Sequence, residues 1–394
     1  MSSMPVITIQ CDWNDVIRLP KGEAWISSKS LNESSIHDKL TTTVNKPDGK
    51  MKISFSDNYQ YISHSNLSLV VKHLPSGLKV AFVAPTKTHK VHDKAVLSVA
   101  VAENSKAVSS CEGDKLLVWD SRTGDVFLDL KGHGGQVYKC RFFPSGIVVL
   151  SAGADGSSRI WSAESGINPV TLKGHTMAVT DISIIEKGRN IISVSKDGSA
   201  KLWDVGESNC LDNVIEEHGQ INCCSIGTIT DEVAVENERE VGTGNKLLVA
   251  GCESGLVVCA NVAKRQELYC KQLESACNTC VVIDKNIIIG CSNGKVIQLN
   301  LEDGAIIHEW HESANPVLSL VSLTNQLFVV GRQDGTCTVL SLQHALHNAI
   351  RVQLTGSDYD GIRDLSFNGK WIFAACRDYN VRKYDFNQVS VHYK

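Results

Sequence analysis

The stretch SVSKDGSAKLWD, residues 193–204, decides the fold of this chain. Small and apolar residues lead into a turn at Asp197 and Gly198, and an alternating segment then runs to Trp203. Because Asp and Gly favour tight turns and alternation is typical of a half-buried strand, the stretch predicts a strand, a turn and a second strand. A hairpin of this size does not need Ser193, Asp197 and Trp203 together, so their combination points to a larger unit.

The combination recurs at a constant interval. EGDKLLVWD (112–120) and GADGSSRIWS (153–162) restate it, which places Trp119, Trp161 and Trp203 at successive intervals of 42 residues. A Gly-His pair precedes each of the last two tryptophans, with the histidine 28 residues ahead. Gly-His early and Trp-Asp late is the signature of the WD repeat, in which each repeat forms one four-stranded blade of a β-propeller.

Four weaker copies follow Trp203 when the turn is used as the anchor. The residues at their tryptophan position are Ala260, Leu299, Leu340 and Tyr384. The first of these intervals is long because it contains an insertion at residues 228–241. The sequence therefore predicts an all-β fold, with a seven-bladed WD-repeat β-propeller over residues 89–394 that leaves no long strand edge exposed.

Residues 1–88 lack the repeat and predict a small β-rich N-terminal extension. A short helix fits before Pro20, a strand follows it, and two further strands flank the turn at Pro75 and Gly77. Since the tail after Tyr384 is short, the last strand of the extension is a candidate to complete the seventh blade.

The polar residues of the repeat are expected to form a buried network. We expect His175 to link Asp197 to Ser193 and to the indole N–H of Trp203, so that every donor and acceptor has a partner. The same set recurs 42 residues earlier. Its members are His133, Ser151, Asp155 and Trp161.

A Ser/His/Asp set also invites comparison with serine hydrolases. Their nucleophile needs an exposed oxygen beside an oxyanion site, and the sequence contains no G-x-S-x-G elbow. Two copies 42 residues apart favour architecture over catalysis, so we expect no catalytic residues.

The 14 cysteines are interpreted as small buried hydrophobic residues. Cys277 and Cys280 have the spacing of half a zinc site, but residues three apart on a strand should point to opposite faces, and no second pair lies at ligand spacing. No glycine-rich phosphate loop precedes a helix pattern. The sequence therefore predicts no metal and no cofactor.

Charge and hydropathy exclude two classes of partner. A net charge of −4 without a Lys/Arg-rich run does not favour nucleic acid. No apolar stretch approaches the length of a bilayer span, and the first residues lack the pattern of a signal peptide. We expect a monomer that stays inside the cell, in the cytoplasm and the nucleus.

Several segments resemble one WD-repeat family beyond the generic pattern. They are CDWNDVI (11–17), GEAWIS (22–27), RFFPSG (141–146) and REVGT (239–243). Together with the repeats, they make the chain similar, nearly from end to end, to the proteasomal ATPase-associated factor 1 family.

The resemblance implies a non-catalytic chaperone for assembly of the proteasome's 19S regulatory particle. It implies binding to the C-terminal domain of a proteasomal ATPase subunit, which would keep immature ATPase modules from docking prematurely on the core particle. An alternative comes from WDSR (119–122), which fits the W-D-x-R box of substrate receptors of cullin ubiquitin ligases. Trp-Asp belongs to the fold, so only Arg122 carries this alternative.

The loops that precede each blade and the turns before each tryptophan strand should emerge on one rim. The partner-binding candidates on that rim are Glu217, Glu253, Glu274, Glu312, Asp358 and Asp360, with Arg332 and Arg377 among them. The early blades bring cations to the same rim, namely Lys94, Lys131, Lys173 and Lys196. We expect the acidic half to meet a basic patch on the ATPase domain, although a merely solvated rim is the alternative. The insertion DEVAVENERE (231–240) should emerge on the opposite rim as a second candidate.

Overall fold

The computed structural model describes residues 5–31, 33–44, 51–230, 233–235, 237–343 and 350–393. Strands dominate these ranges, and the helices within them are short, namely α1 (Trp13–Val16) and α2 (Phe386–Ser390). None of the helices in these ranges has the length and apolar character that a bilayer span requires. The predicted all-β fold is confirmed.

The first strands of the chain form a sheet apart from the repeats. This antiparallel sheet, called the N-terminal sheet below, contains β1 (Val6–Ile9), β2 (Glu23–Lys29), β3 (Ile36–Val44) and β4 (Met51–Phe55). Four more strands precede the first repeat. They are β5 (Tyr59–His64), β6 (Ser68–His73), β7 (Lys79–Val83) and β8 (Lys87–His89).

Each repeat forms an antiparallel sheet, called a blade. Blade A contains β9 (Val96–Val101), β10 (Lys106–Cys111), β11 (Leu116–Asp120) and β12 (Val126–Asp129). Blade B contains β13 (Val137–Phe142), β14 (Val148–Gly153), β15 (Ser157–Ser162) and β16 (Val170–Lys173). Blade C contains β17 (Val179–Ile185), β18 (Asn190–Ser195), β19 (Ala200–Asp204) and β20 (Asn209–Ile215).

The weaker repeats form blades of the same order. Blade D contains β21 (Ile221–Thr228), β22 (Lys246–Cys252), β23 (Leu256–Asn261) and β24 (Gln266–Gln272). Blade E contains β25 (Cys277–Ile283), β26 (Asn286–Cys291), β27 (Val296–Asn300) and β28 (Ile306–Trp310). Blade F contains β29 (Val317–Ser322), β30 (Leu327–Arg332), β31 (Cys337–Ser341) and β32 (Arg351–Leu354). Blade G contains β33 (Ile362–Phe367), β34 (Trp371–Cys376), β35 (Val381–Asp385) and, from the start of the chain, β8.

The blades are arranged in a ring. The first strand of each blade packs against the first strand of the next, and β33 of blade G packs against β9 of blade A. This cyclic packing is that of a β-propeller. Middle strands are buried on both faces, so β26 is a nearly continuous apolar run rather than an alternating one. Outermost strands such as β12 are largely exposed.

Apolar cores lie between adjacent blades, and the repeat tryptophans fill three of them. Trp119 packs with Phe373 of blade G, Trp161 with Val108 of blade A, and Trp203 with Leu150 of blade B. Each of these indoles is at most 1% exposed. Since burial of a large aromatic side chain contributes more than that of any smaller apolar residue, the tryptophans stabilise the contacts between neighbouring blades.

Strands from the extension are built into the ring at two places. β8 pairs with β35 and supplies the outermost strand of blade G, whereas β7 pairs in parallel with β32 of blade F. β6 and β5 extend that sheet to seven strands. The strand of the extension that completes the last blade is thus β8 rather than β7. β8 also crosses residues 88 and 89, the predicted boundary between the extension and the propeller.

The N-terminal sheet packs onto this seven-stranded sheet. Their shared core includes Ile26 and Leu40 on one side and Val71 and Phe82 on the other, with Trp13 of α1 among them. Because β7 belongs to both this core and the blade F sheet, the sheet stands against blade F of the ring.

Candidate functional site

The turn between the second and third strands of each blade lies beside the connection that enters the same blade. A backbone N–H at the turn donates to a carbonyl of the connection at 2.8–3.0 Å in each of blades A to G. The donor and acceptor pairs are Glu112 and Ala95, Ala154 and Gln136, Lys196 and Ala178, Glu253 and Gln220, Ser292 and Ala276, Gln333 and Pro316, and Arg377 and Gly361. These loops together form one end of the ring, which we call the turn rim.

Just beneath the turn rim, the structure brings the residues predicted for blade C together. The Nδ1 atom of His175 lies 2.9 Å from Asp197 Oδ2, and its Nε2 atom lies 2.8 Å from Ser193 Oγ. The indole Nε1 of Trp203 donates to the same Ser193 oxygen at 2.8 Å.

The protonation states of His175 and Asp197 determine which atom donates in each of these hydrogen bonds. Burial lowers the pKa of His175 below its ordinary value, which favours the neutral ring at neutral pH. Burial alone would raise the pKa of Asp197, but hydrogen bonds from Ser199, His175 and Thr176 lower it to about 2. The tautomer with hydrogen on Nδ1 therefore donates to a carboxylate, Nε2 accepts the Ser193 hydroxyl hydrogen, and Ser193 accepts from Trp203.

Blade B contains the same network. His133 Nδ1 lies 3.0 Å from Asp155 Oδ2 and its Nε2 lies 2.8 Å from Ser151 Oγ, while Trp161 Nε1 donates to that oxygen at 2.8 Å. Ser151 and Ser193 are both fully buried. A nucleophile must reach its substrate, and these hydroxyls are enclosed and bonded on both sides.

Blade A holds a third network that the predicted residues did not include. His92 Nε2 lies 2.7 Å from Ser109 Oγ, which also accepts from Trp119 Nε1 at 2.9 Å. The sequence signal is the ten-residue spacing from serine to tryptophan that blades B and C share. His92 Nδ1 has no hydrogen-bond partner among the described residues, so no aspartate completes this copy of the network.

Three of the predicted acidic residues lie exposed on the turn rim at blades D and E. Glu217 is on the connection into blade D, Glu253 on the turn of blade D, and Glu274 on the connection into blade E. Glu253 accepts from Asn222 at 2.7 Å, and Glu274 forms a 2.7 Å ion pair with Lys295 while its side chain stays 78% exposed. These three carboxylates are accessible to a partner.

Glu312, in contrast, was wrongly predicted as a partner-binding residue. Its side chain is buried and pairs with Arg351 at 2.8 Å and with the buried Arg332 at 3.6 Å. Arg351 also donates to the Pro5 carbonyl just before β1. The N-terminal sheet therefore meets the rim at blade F, beside Glu312 and its two arginine partners.

Asp358 and Asp360 lie close to the same junction. Tyr359 between them stacks on Trp25 of the N-terminal sheet, with ring centroids 6.1 Å apart. Asp360 is half-buried and pairs with Arg377 at 3.9 Å, whereas Asp358 is exposed. A cleft of about 460 Å³ separates the sheet from blade F here, lined in part by Ser27, His37, Asn315 and Asp334.

The cations expected on the early blades are accessible as well. Lys94, Lys131 and Lys173 are exposed, and Lys196 on the turn of blade C is half-buried. These lysines lie at blades A to C, whereas Glu217, Glu253 and Glu274 lie at blades D and E.

The insertion lies at the opposite end of the ring, between β21 and β22. Asp231, Glu232 and Glu236 are outside the described residues. Arg239 pairs with Asp204 at 3.4 Å, and Glu240 pairs with Arg265 at 2.6 Å. The described part of this acidic candidate is therefore bound to blades C and D.

The expectation that Cys277 and Cys280 point to opposite faces is wrong. A β-bulge at Asn278 inserts one extra residue between them, because Cys277 pairs with Cys291 while Thr279 pairs with Gly290. Both thiols therefore enter the same apolar core, beside Cys223 of blade D.

Arg122, the residue that carries the ligase alternative, lies at the start of the turn after β11. Its guanidinium pairs with Asp120 at 2.7 Å, and its side chain is 69% exposed. This pair lowers the pKa of Asp120 to about 2. Arg122 is thus accessible, but it is held by its own neighbour.

Comparisons with known proteins identify relatives of the chain. Residues 124–162 and 167–204 match the WD domain, G-beta repeat family. The chain is 34% identical over 393 residues to proteasomal ATPase-associated factor 1 of Homo sapiens and to that of Gallus gallus, and these alignments cover 97% of this chain and 99% of each relative. It is 32% identical over 421 residues to a probable proteasomal ATPase-associated factor 1 of Dictyostelium discoideum, covering 97% of this chain and 96% of the relative.

Proposed function

This chain belongs to the proteasomal ATPase-associated factor 1 family, and we propose that it is a non-catalytic chaperone for assembly of the proteasome's regulatory particle. The observation that carries the proposal is the near end-to-end similarity to relatives whose name states an association with proteasomal ATPases. In this proposal the chain binds the C-terminal domain of one ATPase subunit and occludes it, so that the subunit cannot dock prematurely on the core particle.

The contact we propose is the acidic sector of the turn rim, formed by Glu217, Glu253 and Glu274. The N-terminal sheet stands at blade F, so it leaves the rim at blades D and E open. A basic patch on the ATPase domain would be steered toward this sector and oriented by the exposed lysines of blades A to C. Such charge separation accelerates encounter and fixes orientation more than it increases affinity.

The proposal requires binding without chemistry. The two Ser/His/Asp sets have enclosed hydroxyls, and each serine oxygen already accepts an indole hydrogen. Occlusion needs only a stable surface, which a ring of packed blades supplies. We propose further that the chain acts as a monomer in the cytoplasm and the nucleus.

Charge reversal tests the surface. Replacing Glu217, Glu253 and Glu274 by lysine should slow association with a purified ATPase C-terminal domain and reduce the salt dependence of the rate, without changing the melting temperature. The matched control reverses Glu164, Glu207 and Glu302, three exposed glutamates on turns at the opposite end of the ring. Stopped-flow mixing at several salt concentrations gives both quantities.

An unchanged association rate in the first variant would show that the acidic sector is the wrong surface. If deletion of residues 231–240 abolished binding instead, the insertion would be the contact. Affinity capture from cell extract tests the function itself, and recovery of a cullin-ligase adaptor without ATPase subunits would favour the alternative carried by Arg122.

A further inference from the structure

Three metal-ligating side chains meet on the outer side of blade D. His218 Nε2 lies 2.6 Å from Glu267 Oε1, and Cys270 Sγ lies 3.7 Å from Glu267 Oε2. All three ligand atoms lie within 4.8 Å of one another, and this is the one such group of three or more among the residues the structure describes.

The fold brings these residues together by two local features. β24 contains a bulge at Leu268, because Cys259 of β23 pairs with Tyr269 and the next residue, Ala260, pairs with Glu267. The extra residue places Glu267 and Cys270 on the same face of the strand. His218 comes from the connection between blades C and D, which bends through left-handed conformations at Glu217 and Gly219.

Hydrogen bonds hold the three side chains in an arrangement like that of a metal site, with hydrogens where the metal ion would lie. Two donors converge on one carboxylate, since the imidazole and the thiol both contact Glu267. A nitrogen, a sulfur and an oxygen form a ligand set that suits zinc, whose bonds to them are about 2.0–2.3 Å long. Glu267 and Cys270 are exposed, so an ion can enter from solvent.

We propose that His218, Glu267 and Cys270 bind one zinc ion, with water as the fourth ligand. On binding, the Cys270 thiol releases its proton to solvent and the thiolate bonds to the metal. The hydrogen that His218 Nε2 donates to Glu267 is given up to solvent, and the coordinated ring carries its one hydrogen on Nδ1, so that Nε2 is free to coordinate. One thiolate and one carboxylate then balance the two charges of the ion. The metal clamps the connection into blade D to the outermost strand of that blade.

Sequence spacing does not indicate this site, because 49 residues separate His218 from Glu267. It lies apart from Cys277 and Cys280, and it is independent of the proposed chaperone function. The prediction that Cys277 and Cys280 bind no metal is unaffected.

Cobalt substitution tests the site directly. Metal-free protein titrated with Co²⁺ should gain a thiolate-to-cobalt absorption band and the visible bands of tetrahedral cobalt, and Zn²⁺ should displace both. Cys270→Ser should abolish the thiolate band. His218→Ala should weaken zinc binding by more than about tenfold, the lower limit of the loss that follows removal of an outer-shell partner. Cys210→Ser, which changes a partly exposed cysteine on β20, is the matched control and should bind as the wild type does.

Two results would overturn the site. One is a Co²⁺ spectrum without a thiolate band, and the other is equal zinc affinity in wild type and Cys270→Ser. Melting curves provide a second measurement, since zinc should raise the melting temperature of wild type and Cys210→Ser but not of Cys270→Ser.

Discussion

The indole Nε1 of Trp13 donates a 2.8 Å hydrogen bond to the hydroxyl of Thr355, 342 residues further along the chain. Both residues are buried. Thr355 Oγ1 also lies 3.2 Å from the Val83 carbonyl, and the Thr355 carbonyl accepts from Tyr384 of blade G at 2.7 Å. One threonine thus connects α1, β7 and the last blade, so we expect the N-terminal sheet and the ring to unfold together.

Trp13→Phe tests this coupling. The variant loses an indole donor and some packing, at a cost of about 1 kcal/mol for the hydrogen bond plus a cavity term. The denaturant midpoint should fall while circular dichroism and fluorescence still report one transition. Trp25→Phe, at a half-buried position, should change the midpoint less. Two separate transitions in the wild-type protein would contradict the expectation.

Asp197→Ala should destabilise the ring without affecting any chemistry. The carboxylate accepts from His175, Thr176 and Ser199, and its removal leaves the buried His175 ring without a partner for its Nδ1 hydrogen, at a cost of about 1–3 kcal/mol. Thermal unfolding measures the loss. Asp114→Ala is the control, because Asp114 is on the corresponding turn of blade A and is exposed. An unchanged melting temperature, with loss of reactivity toward a serine-directed probe, would favour the hydrolase interpretation.

Stability should fall as the pH drops from about 6.5 toward 4. Burial and the charge of Lys115 lower the pKa of His92 to about 4, and burial lowers the pKa of His133 and His175. The unfolded chain therefore binds more protons than the folded chain in this window, and protonation favours unfolding. Urea titrations across the window measure the slope. His92→Asn removes one titrating group, so its stability should depend less on pH, and an equal slope would refute the role of His92.

Tyr379→Gly should stabilise blade G. Tyr379 has φ 71° at the turn position that Gly156, Gly198 and Gly255 occupy in other blades with φ between 70° and 85°. A left-handed backbone conformation costs a non-glycine residue about 1–2 kcal/mol, which the glycine variant avoids. Glycine loses more conformational entropy on folding, which offsets roughly half of that benefit, so the free energy of unfolding should rise by less than about 1 kcal/mol. Tyr359→Gly is an informative comparison, because φ 59° there is offset by stacking on Trp25. A lower melting temperature for Tyr379→Gly would contradict the strain argument.

Local patterns predicted the ring well. The 42-residue period located the tryptophan strands of blades A, B and C, and the turn anchor located the tryptophan-equivalent strands of blades D to G, because each blade repeats the same local pattern of turn and strand. Even the network of blade A could have been found, from the spacing of Ser109 and Trp119. Such features depend on residues within one repeat, and the sequence shows them directly.

Features that depend on distant segments were not predictable in the same way. Glu312 reads as a surface loop residue, but in the structure it is a buried partner of Arg332 and Arg351, beside an N-terminal sheet that lies some 300 residues earlier in the sequence. The bulges at Asn278 and Leu268 change which side chains share a face without changing composition. Pattern analysis assumes strict alternation, so it misplaced Cys277 and could not bring Glu267 and Cys270 together.

The pairing of β7 with β32 and of β8 with β35 has a consequence for biosynthesis. The ribosome makes residues 79–89 early, yet their strand partners lie at residues 351–354 and 381–385. Until those emerge, a nascent chain carries the unpaired apolar edge of β7 in an unclosed ring, the condition that invites aggregation. A chain cut short after blade E would lack both partners, so quality control should remove truncated products that retain five complete repeats.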